Sequence, residues 1–340
     1  MSESISTTCV QGGYRPGDGE PRQIPIYQST TWKYDTSEHM GRLFDLEEAG
    51  YFYTRLANPT NDFVAAKIAE LEGGTAAMLT SSGQAANFFA VFNIAGAGDH
   101  VVASSAIYGG TFNLLAVTMK RMGLACTFVA PDCTDEELEA AFQPNTKAAF
   151  GETIANPALS VLDIERFGLG GAFITKATAQ LMRDFGAIQS PQNAYLINLG
   201  LESLHLRMAQ HSKNGLALAQ HLAAHPKIAW VRYPGLEGDA YYDLAQKYLP
   251  NGASGVVSFG VAGGRAAAET FMANLKLAQI ATHVADARTC VLHPANATHR
   301  QMNDEELAAA GITPDLIRLS CGIEATEDLI ADVDQALAAV

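Results

Sequence analysis

Between residues 62 and 152 the sequence alternates long and short apolar runs, and this alternation constrains the fold more than any other feature. "NDFVAAKIAELEGG" carries apolar residues at helical spacing and ends on two glycines, which stop a helix because glycine adopts the left-handed conformation cheaply. "TAAMLTSS" then reads as a buried strand and "GQAANFFAVFNIAG" as a helix. "DHVVASSAI", "ACTFVA" and "TKAAFGETI" read as further strands, separated by the helical "TFNLLAVTMKRMG" and "DEELEAAFQ". Such a chain lays its strands parallel and covers both faces with crossover helices. The expectation is an α/β fold with a mostly parallel central sheet flanked by helices.

The alternation stops after Glu152. "VLDIERF" begins a helix where the next crossover is due, but within a few residues the chain enters "AFITKATAQLMRDFGA", a different helix. A parallel crossover takes about 30 residues, and a sheet abandoned here has an open apolar edge. Residues 192–225 are helical in pattern. After them "IAWVRYPG", "GVVSFGVAGG", "RAAAETFMANL", "QIATHV", "LIRLSCGIE" and "TEDLIADVDQALAAV" describe a smaller α+β unit. Thr326 is expected to cap the last helix, with Glu327 and Asp328 in its first turn. The turn-rich residues 1–61 read as an extended arm, 62–199 as one domain interrupted at 167/168, and 200–340 as a second.

A net charge of −14 and no block of Lys or Arg argue against a nucleic-acid groove or an anionic membrane face. No apolar run reaches the roughly 18 residues of a membrane span, and the polar start "MSESISTTCVQGG" has no pattern of a secretory leader. The five cysteines (Cys9, Cys126, Cys133, Cys290 and Cys321) are scattered without a C-x-x-C pair. They are expected to be small hydrophobes in a reducing cytoplasm. The histidines are read as lacking metal-ligand spacing, and no metal is expected.

Five segments carry chemistry. "SSGQAA", residues 81–86, joins a strand to a helix; a phosphate fits such a helix start, although small residues are ordinary in any turn there. "YTRLANPT" sets Tyr53 and Arg55 on an irregular stretch, able to hold phosphate or carboxylate or simply to face solvent beside a turn. "IYGGT" puts Tyr108 at a strand end, where ligands of open α/β sheets collect; a core tyrosine is the alternative. "GETIANP" offers Asn156 at another strand end, as ligand donor or turn residue. "LIRLSCGIE" buries Arg318 in an apolar strand, which requires a carboxylate either within the protein or on a substrate.

Taken together and in this order, these segments resemble one family. With "SEHMGRLFDLEEAGYFYTRLANPTND", "SPQNAYLINLGLESLHLRM" and "DARTCVLHPANATHRQ", the chain is similar to the Cys/Met-metabolism enzymes that use pyridoxal 5′-phosphate. The "SEHMGRLFDL" segment points to their O-acetylhomoserine sulfhydrylase branch. The resemblance implies PLP-dependent transferase fold type I and the conversion of O-acetyl-L-homoserine and sulfide, or a thiol, to homocysteine or its thioether. It implies that Ser82, Gly83 and Gln84 hold the cofactor phosphate. Tyr53 and Arg55 would reach a neighbouring subunit's phosphate in a homo-oligomer, usually a tetramer, with shared active sites. Tyr108 would stack on the ring and act in acid–base steps, Asn156 would lie near the phenolic oxygen, and Arg318 would clamp the substrate carboxylate. A methionine or cystathionine γ-lyase or synthase of the same family is the alternative.

The resemblance also explains the broken alternation. In this family "LDIERF" leads to an Asp that pairs with the pyridine nitrogen and then to the lysine that tethers the cofactor as a Schiff base. Several tens of residues carrying both are absent between Phe167 and Gly168. The expectation is that these two residues are not true neighbours, farther apart than the ~3.8 Å of a trans peptide. Engineered removal and loss in descent are alternatives, and the literal 340-residue chain would then be a catalytically dead binding subunit. Lys176, in "FITK", imitates the lost turn but reads as the start of the following helix.

Overall fold

A computed structural model describes residues 4–45, 47–167, 181–297 and 312–340. Its first sheet has three parallel strands in the order β2-β1-β3. The central β1 (His100–Ser104) is buried along its whole length, with β2 (Ala125–Val129) and β3 (Thr146–Phe150) on either side. Successive side chains of a strand face opposite ways, so β1 serves two cores. Val101 and Ala103 pack with Val91, Leu115 and Met119 of the helices after residue 82. Val102 faces Val129, Leu138 and Ala141, the last two from helix Asp135–Ala141. That helix opens on a full capping box between Thr134 and Glu137, which satisfies two backbone donors that a helix start otherwise leaves unpaired.

The strand expected over "TAAMLTSS" does not form. Thr80 makes a single antiparallel bridge with Ile188, and Ser81 N–H donates to the Ala187 carbonyl at 2.8 Å. A strand is defined by its ladder, and no neighbouring strand flanks 75–79 among the described residues. Among the described residues β3 likewise pairs with β1 alone, and its Ala149 is exposed. Beyond it the chain forms helix Ile164–Phe167. Residues 168–180, with the 167/168 junction, Lys176 and most of the helix expected there, lie outside the described residues.

The second sheet has five strands in the order β4-β5-β8-β7-β6: β4 Ile228–Arg232, β5 Val256–Val261, β6 Gln279–Ile280, β7 Cys290–Leu292 and β8 Leu316–Ser320. All adjacent pairs are antiparallel except β6 with β7. Val257, Phe259, Ile317 and Leu319 pack against helices Leu204–Ala224, Gly264–Asn274 and Thr326–Ala338 through Leu218, Phe271 and Val333. Helix Pro191–Glu202 ends at Ser203, so the single long helix expected there is two. Thr326 is the first residue of the last helix rather than its cap; its hydroxyl bonds to Asn214 Oδ1 at 2.7 Å.

The arm holds two short helices, Ile5–Gln11 and Ser37–Phe44, within irregular chain. Buried Lys67, in helix Pro59–Glu72, donates to the Cys9 carbonyl at 3.1 Å and ties the first of them down. Gly13 (φ 80°) passes so close that a Cβ there would meet the Phe63 carbonyl at 2.2 Å, so only glycine serves.

Candidate active site

The site is a run of contacts along the carboxyl ends of β1 and β3 that crosses to β8. It begins at helix Gly83–Phe92. Ser82 is the extended N-cap, and its Oγ accepts the Ala85 N–H at 3.1 Å. The first N–H groups of a helix have no acceptor in their own turn, and nothing lies within 4 Å of where a Cβ on Gly83 would stand. Backbone donors and the positive end of the helix dipole at such a start suit a phosphate, and glycine at residue 83 leaves room beside them.

Gln84 extends the run. Its Nε2 donates to the Gly110 carbonyl at 2.8 Å, and Asn87 Nδ2 donates to Thr111 Oγ1 at 2.9 Å. Both bonds fix the turn that presents Tyr108. The Tyr108 ring is 55% exposed and packs over Gly110, where a Cβ would sit 2.4 Å from ring atom Cε1. The second glycine of "IYGGT" is thus the floor under the ring. Tyr108 N–H donates to Glu152 Oε1 at 2.9 Å. Partial burial pushes the Glu152 carboxyl up from its ordinary value, and the Tyr108 N–H opposes that shift.

Four residues past Glu152 lies Asn156, whose Oδ1 accepts from Arg318 Nη1 at 3.2 Å. Arg318 Nη2 donates to the His283 carbonyl at 2.9 Å. The guanidinium is 5% exposed, and its Nε has no hydrogen-bond partner. Its pKa is lowered by burial. Both of its described partners are neutral, so a buried cation here has no compensating carboxylate among the described residues, a costly arrangement unless a ligand supplies one. Hydrogen bonds thus tie Gln84 to the turn of Tyr108, Tyr108 to Glu152, and Asn156, four residues on, to Arg318.

Tyr53 and Arg55 stand apart from this run. The Arg55 guanidinium lies over the Tyr53 ring, 5.2 Å from its centroid, and donates to the Arg183 carbonyl of the same chain. A Cβ on Gly186 would be 3.2 Å from Arg55 Cδ. Because Ser81 bonds to Ala187, the stretch 183–188 links Arg55 to the turn that holds Ser82.

Sequence reasoning missed Glu152 and His283. The signal for Glu152 was an acidic residue at a strand end within "GETIANP"; His283 acts through its carbonyl and left none. The sequence reading also passed over His221 and His225, four residues apart. His221 Nε2 is engaged by Asp334 at 2.6 Å, and His225 Nδ1 accepts from Lys227 N–H at 3.2 Å.

Comparison with known proteins places the chain in a family. A family model described as "Cys/Met metabolism PLP-dependent enzyme" matches residues 6–168 and 169–338. A homocysteine synthase of Schizosaccharomyces pombe is 36% identical, over 99% of this chain and 98% of its own length. An O-acetyl-L-homoserine sulfhydrylase of Thermus thermophilus is 35% identical over 98% of this chain and 100% of its own, and an L-methionine gamma-lyase of Fusobacterium nucleatum is 36% identical over 98% of each. A Campylobacter jejuni crystal structure assigned as an O-acetylhomoserine (thiol)-lyase, with N′-pyridoxyl-lysine-5′-monophosphate at its position 205, superposes with a TM-score of 0.91 at 30% identity, covering 99% of this chain and 100% of that one. The S. pombe alignment runs over 423 positions against 340 residues here, so at least 83 positions have no counterpart in this chain. The family match is divided at 168/169, one residue from the break read in the sequence.

Proposed function

Since the chain belongs to the Cys/Met-metabolism PLP-dependent enzymes, we propose that it is built to hold pyridoxal phosphate and O-acetyl-L-homoserine and to exchange acetate for sulfide, giving homocysteine. The observation that carries this reading is buried Arg318, with an unpartnered Nε, tied to Asn156 at the end of a run that starts at an open helix N-terminus. The names of the relatives select the reaction within the family.

Ser82, Gly83 and Gln84 would hold the phosphate, and Tyr108 would lie against the ring. When bound, the cofactor supplies an electron sink for charge that develops at the substrate carbons. Arg318 binds the α-carboxylate by a charge-assisted pair and so fixes which C–H bond faces the ring. The Tyr108 hydroxyl, on an exposed ring, can hand a proton to the departing acetate oxygen. Glu152 holds the Tyr108 backbone in place.

A second reading has its own support. At least 83 positions of the S. pombe alignment have no counterpart here, and the resemblance places the tethering lysine in the missing stretch. A chain that keeps the cradle but not the tether is a binding subunit. The γ-lyase reading is supported by the methionine gamma-lyase relative. One assay of the PLP-loaded chain separates the three. Homocysteine and acetate from O-acetylhomoserine and sulfide support the first; ammonia and a 2-oxo acid support a lyase; bound cofactor without turnover supports the binding subunit.

We further propose a homo-oligomer, a tetramer built of dimers, in which Tyr53 and Arg55 serve a neighbouring site. In support, Arg55 is exposed, and helices Pro191–Glu202 and Leu204–Ala224 display Leu196, Leu199, Leu206 and Met208 to solvent. Light scattering of the eluted protein tests this, and a monomer mass would overturn it.

A further inference from the structure

Two consecutive residues past β3 hold two residues that face each other on the second sheet. Asn156 Oδ1 accepts from Arg318 Nη1 at 3.2 Å, and the Pro157 carbonyl accepts from Ser258 Oγ at 2.9 Å. Ser258 of β5 and Arg318 of β8 are direct cross-strand partners, so their side chains leave the same face of the sheet, with Cβ atoms about 4.5–5.5 Å apart. Ser258 is fully buried. The chemistry of the proposed reaction gives this hydroxyl no part of its own.

The segment that carries residues 156 and 157 is a narrow loop closed on itself. Ile154 bridges Val161, Ala155 N–H donates to the Ser160 carbonyl at 2.9 Å, and Leu162 N–H donates to the Thr153 carbonyl at 3.1 Å. Its base is fixed: a Cβ on Gly151 would lie 2.5 Å from Leu162 Cδ2, Val161 belongs to the core of the second sheet, and the Tyr248 hydroxyl donates to Asp163 Oδ1 at 2.7 Å. At the tip Leu159 has φ 58°, a left-handed conformation that costs a leucine energy and persists only where the surroundings hold it. The Asn156–Arg318 bond is the contact that an arriving carboxylate perturbs, whereas the Ser258–Pro157 bond does not depend on a ligand. We propose that Ser258 is a positioning residue of the site: through the Pro157 carbonyl it holds Asn156, and Asn156 holds the Arg318 guanidinium where a substrate carboxylate meets it. This rests on the reading that Arg318 receives that carboxylate. Small displacements of such a contact weaken binding and orientation together.

The test uses two variants of the full 340-residue chain. Ser258→Ala deletes the hydroxyl, and Ser258→Thr keeps it on a side chain that strands favour. The first readout is the rate at which phenylglyoxal modifies Arg318, followed by mass spectrometry. The guanidinium is 5% exposed and should react slowly in the parent. Ser258→Ala releases the tip and should raise that rate roughly tenfold, the equivalent of one lost hydrogen bond, while Ser258→Thr stays within about twofold of the parent. Fully buried Cys321, on the same strand's continuation, reports opening of the sheet through its reaction with a thiol reagent, and its rate should not change. The second readout is calorimetric binding of O-acetyl-L-homoserine to the PLP-loaded chain, which should weaken roughly tenfold in Ser258→Ala and recover in Ser258→Thr. An unchanged Arg318 rate in Ser258→Ala overturns the inference. So does a parallel rise at Cys321, which would make Ser258 a structural residue of the sheet alone. If the parent binds no O-acetyl-L-homoserine, the substrate reading beneath falls, and the Arg318 rates still decide whether Ser258 holds the guanidinium in place.

Discussion

Arg318 and Asn156 meet between the two sheets: the guanidinium of a β8 residue donates to the amide oxygen of a residue six positions past the end of β3, at 3.2 Å. Asn156 is the neutral partner of a cation that is 5% exposed. Neutrality keeps the charge available to a ligand carboxylate. Asn156→Asp places a carboxylate there instead and compensates the guanidinium internally. This variant should melt higher than the parent and bind carboxylate-bearing ligands at least about tenfold more weakly. Asn156→Ala leaves Nη1 without its acceptor and should cost about 1–3 kcal/mol by denaturant unfolding.

Glu152 sets a pH dependence. Its carboxyl pKa is raised by burial, so the folded state keeps the proton longer than the unfolded chain does. Its contribution to stability is full below the ordinary glutamate pKa and declines as pH rises through the raised value. Glu152→Gln retains an oxygen for the Tyr108 N–H and removes the charge. The variant should therefore melt at or above the parent temperature at pH 7, with the difference shrinking as pH falls below about 4. Parallel melts across pH 3–8 check this, and a gap that widens on acidification would refute it.

Gly110 bears on Tyr108 more than on stability. A Cβ at residue 110 would sit 2.4 Å from the Tyr108 ring, but that ring is 55% exposed and free to swing. Gly110→Ala should thus change stability by less than about 1 kcal/mol while moving the ring off its floor. Pyridoxal phosphate, if it stacks on Tyr108, should bind about tenfold more weakly, in line with the worth of an aromatic pair. Unchanged binding with a displaced tyrosine would separate the ring from the cofactor.

What the sequence disclosed follows from which interactions are local. β1, β2, β3 and the helices between them were legible because each apolar run carries its own period and stop signals, as at Gly73, which ends its helix in the left-handed conformation. Arg318 stood out because a charge within "LIRLSCG" has no local explanation. The strand expected at 75–82 failed because its ladder depends on other strands, and none flanks it among the described residues. β7 was missed because three residues show no period. Thr326 was misread because its hydroxyl takes a partner 112 residues away in place of its own helix. Arg55 was read from its motif alone, whereas its contact with the Arg183 carbonyl depends on how the chain resumes after the break.

The truncated sheet has a consequence in solution. β3 pairs only with β1 among the described residues, and Ala149 on it is exposed beside half-buried Ala148 and Phe150. An apolar strand with one unpaired side is a template for edge-to-edge association, which natural sheets discourage with charge. β3 carries Lys147 near its start and nothing equivalent near its end. Ala149→Lys puts a charge on the same face two residues on. Because Ala149 is exposed, the change should leave the melting temperature within about 2 °C, as expected of a surface substitution. It should raise the concentration at which the chain aggregates, measured by turbidity and light scattering. If the variant aggregates as readily as the parent, the β3 edge is not the associating surface, and the exposed leucines of helix Leu204–Ala224 and its predecessor become the next to alter.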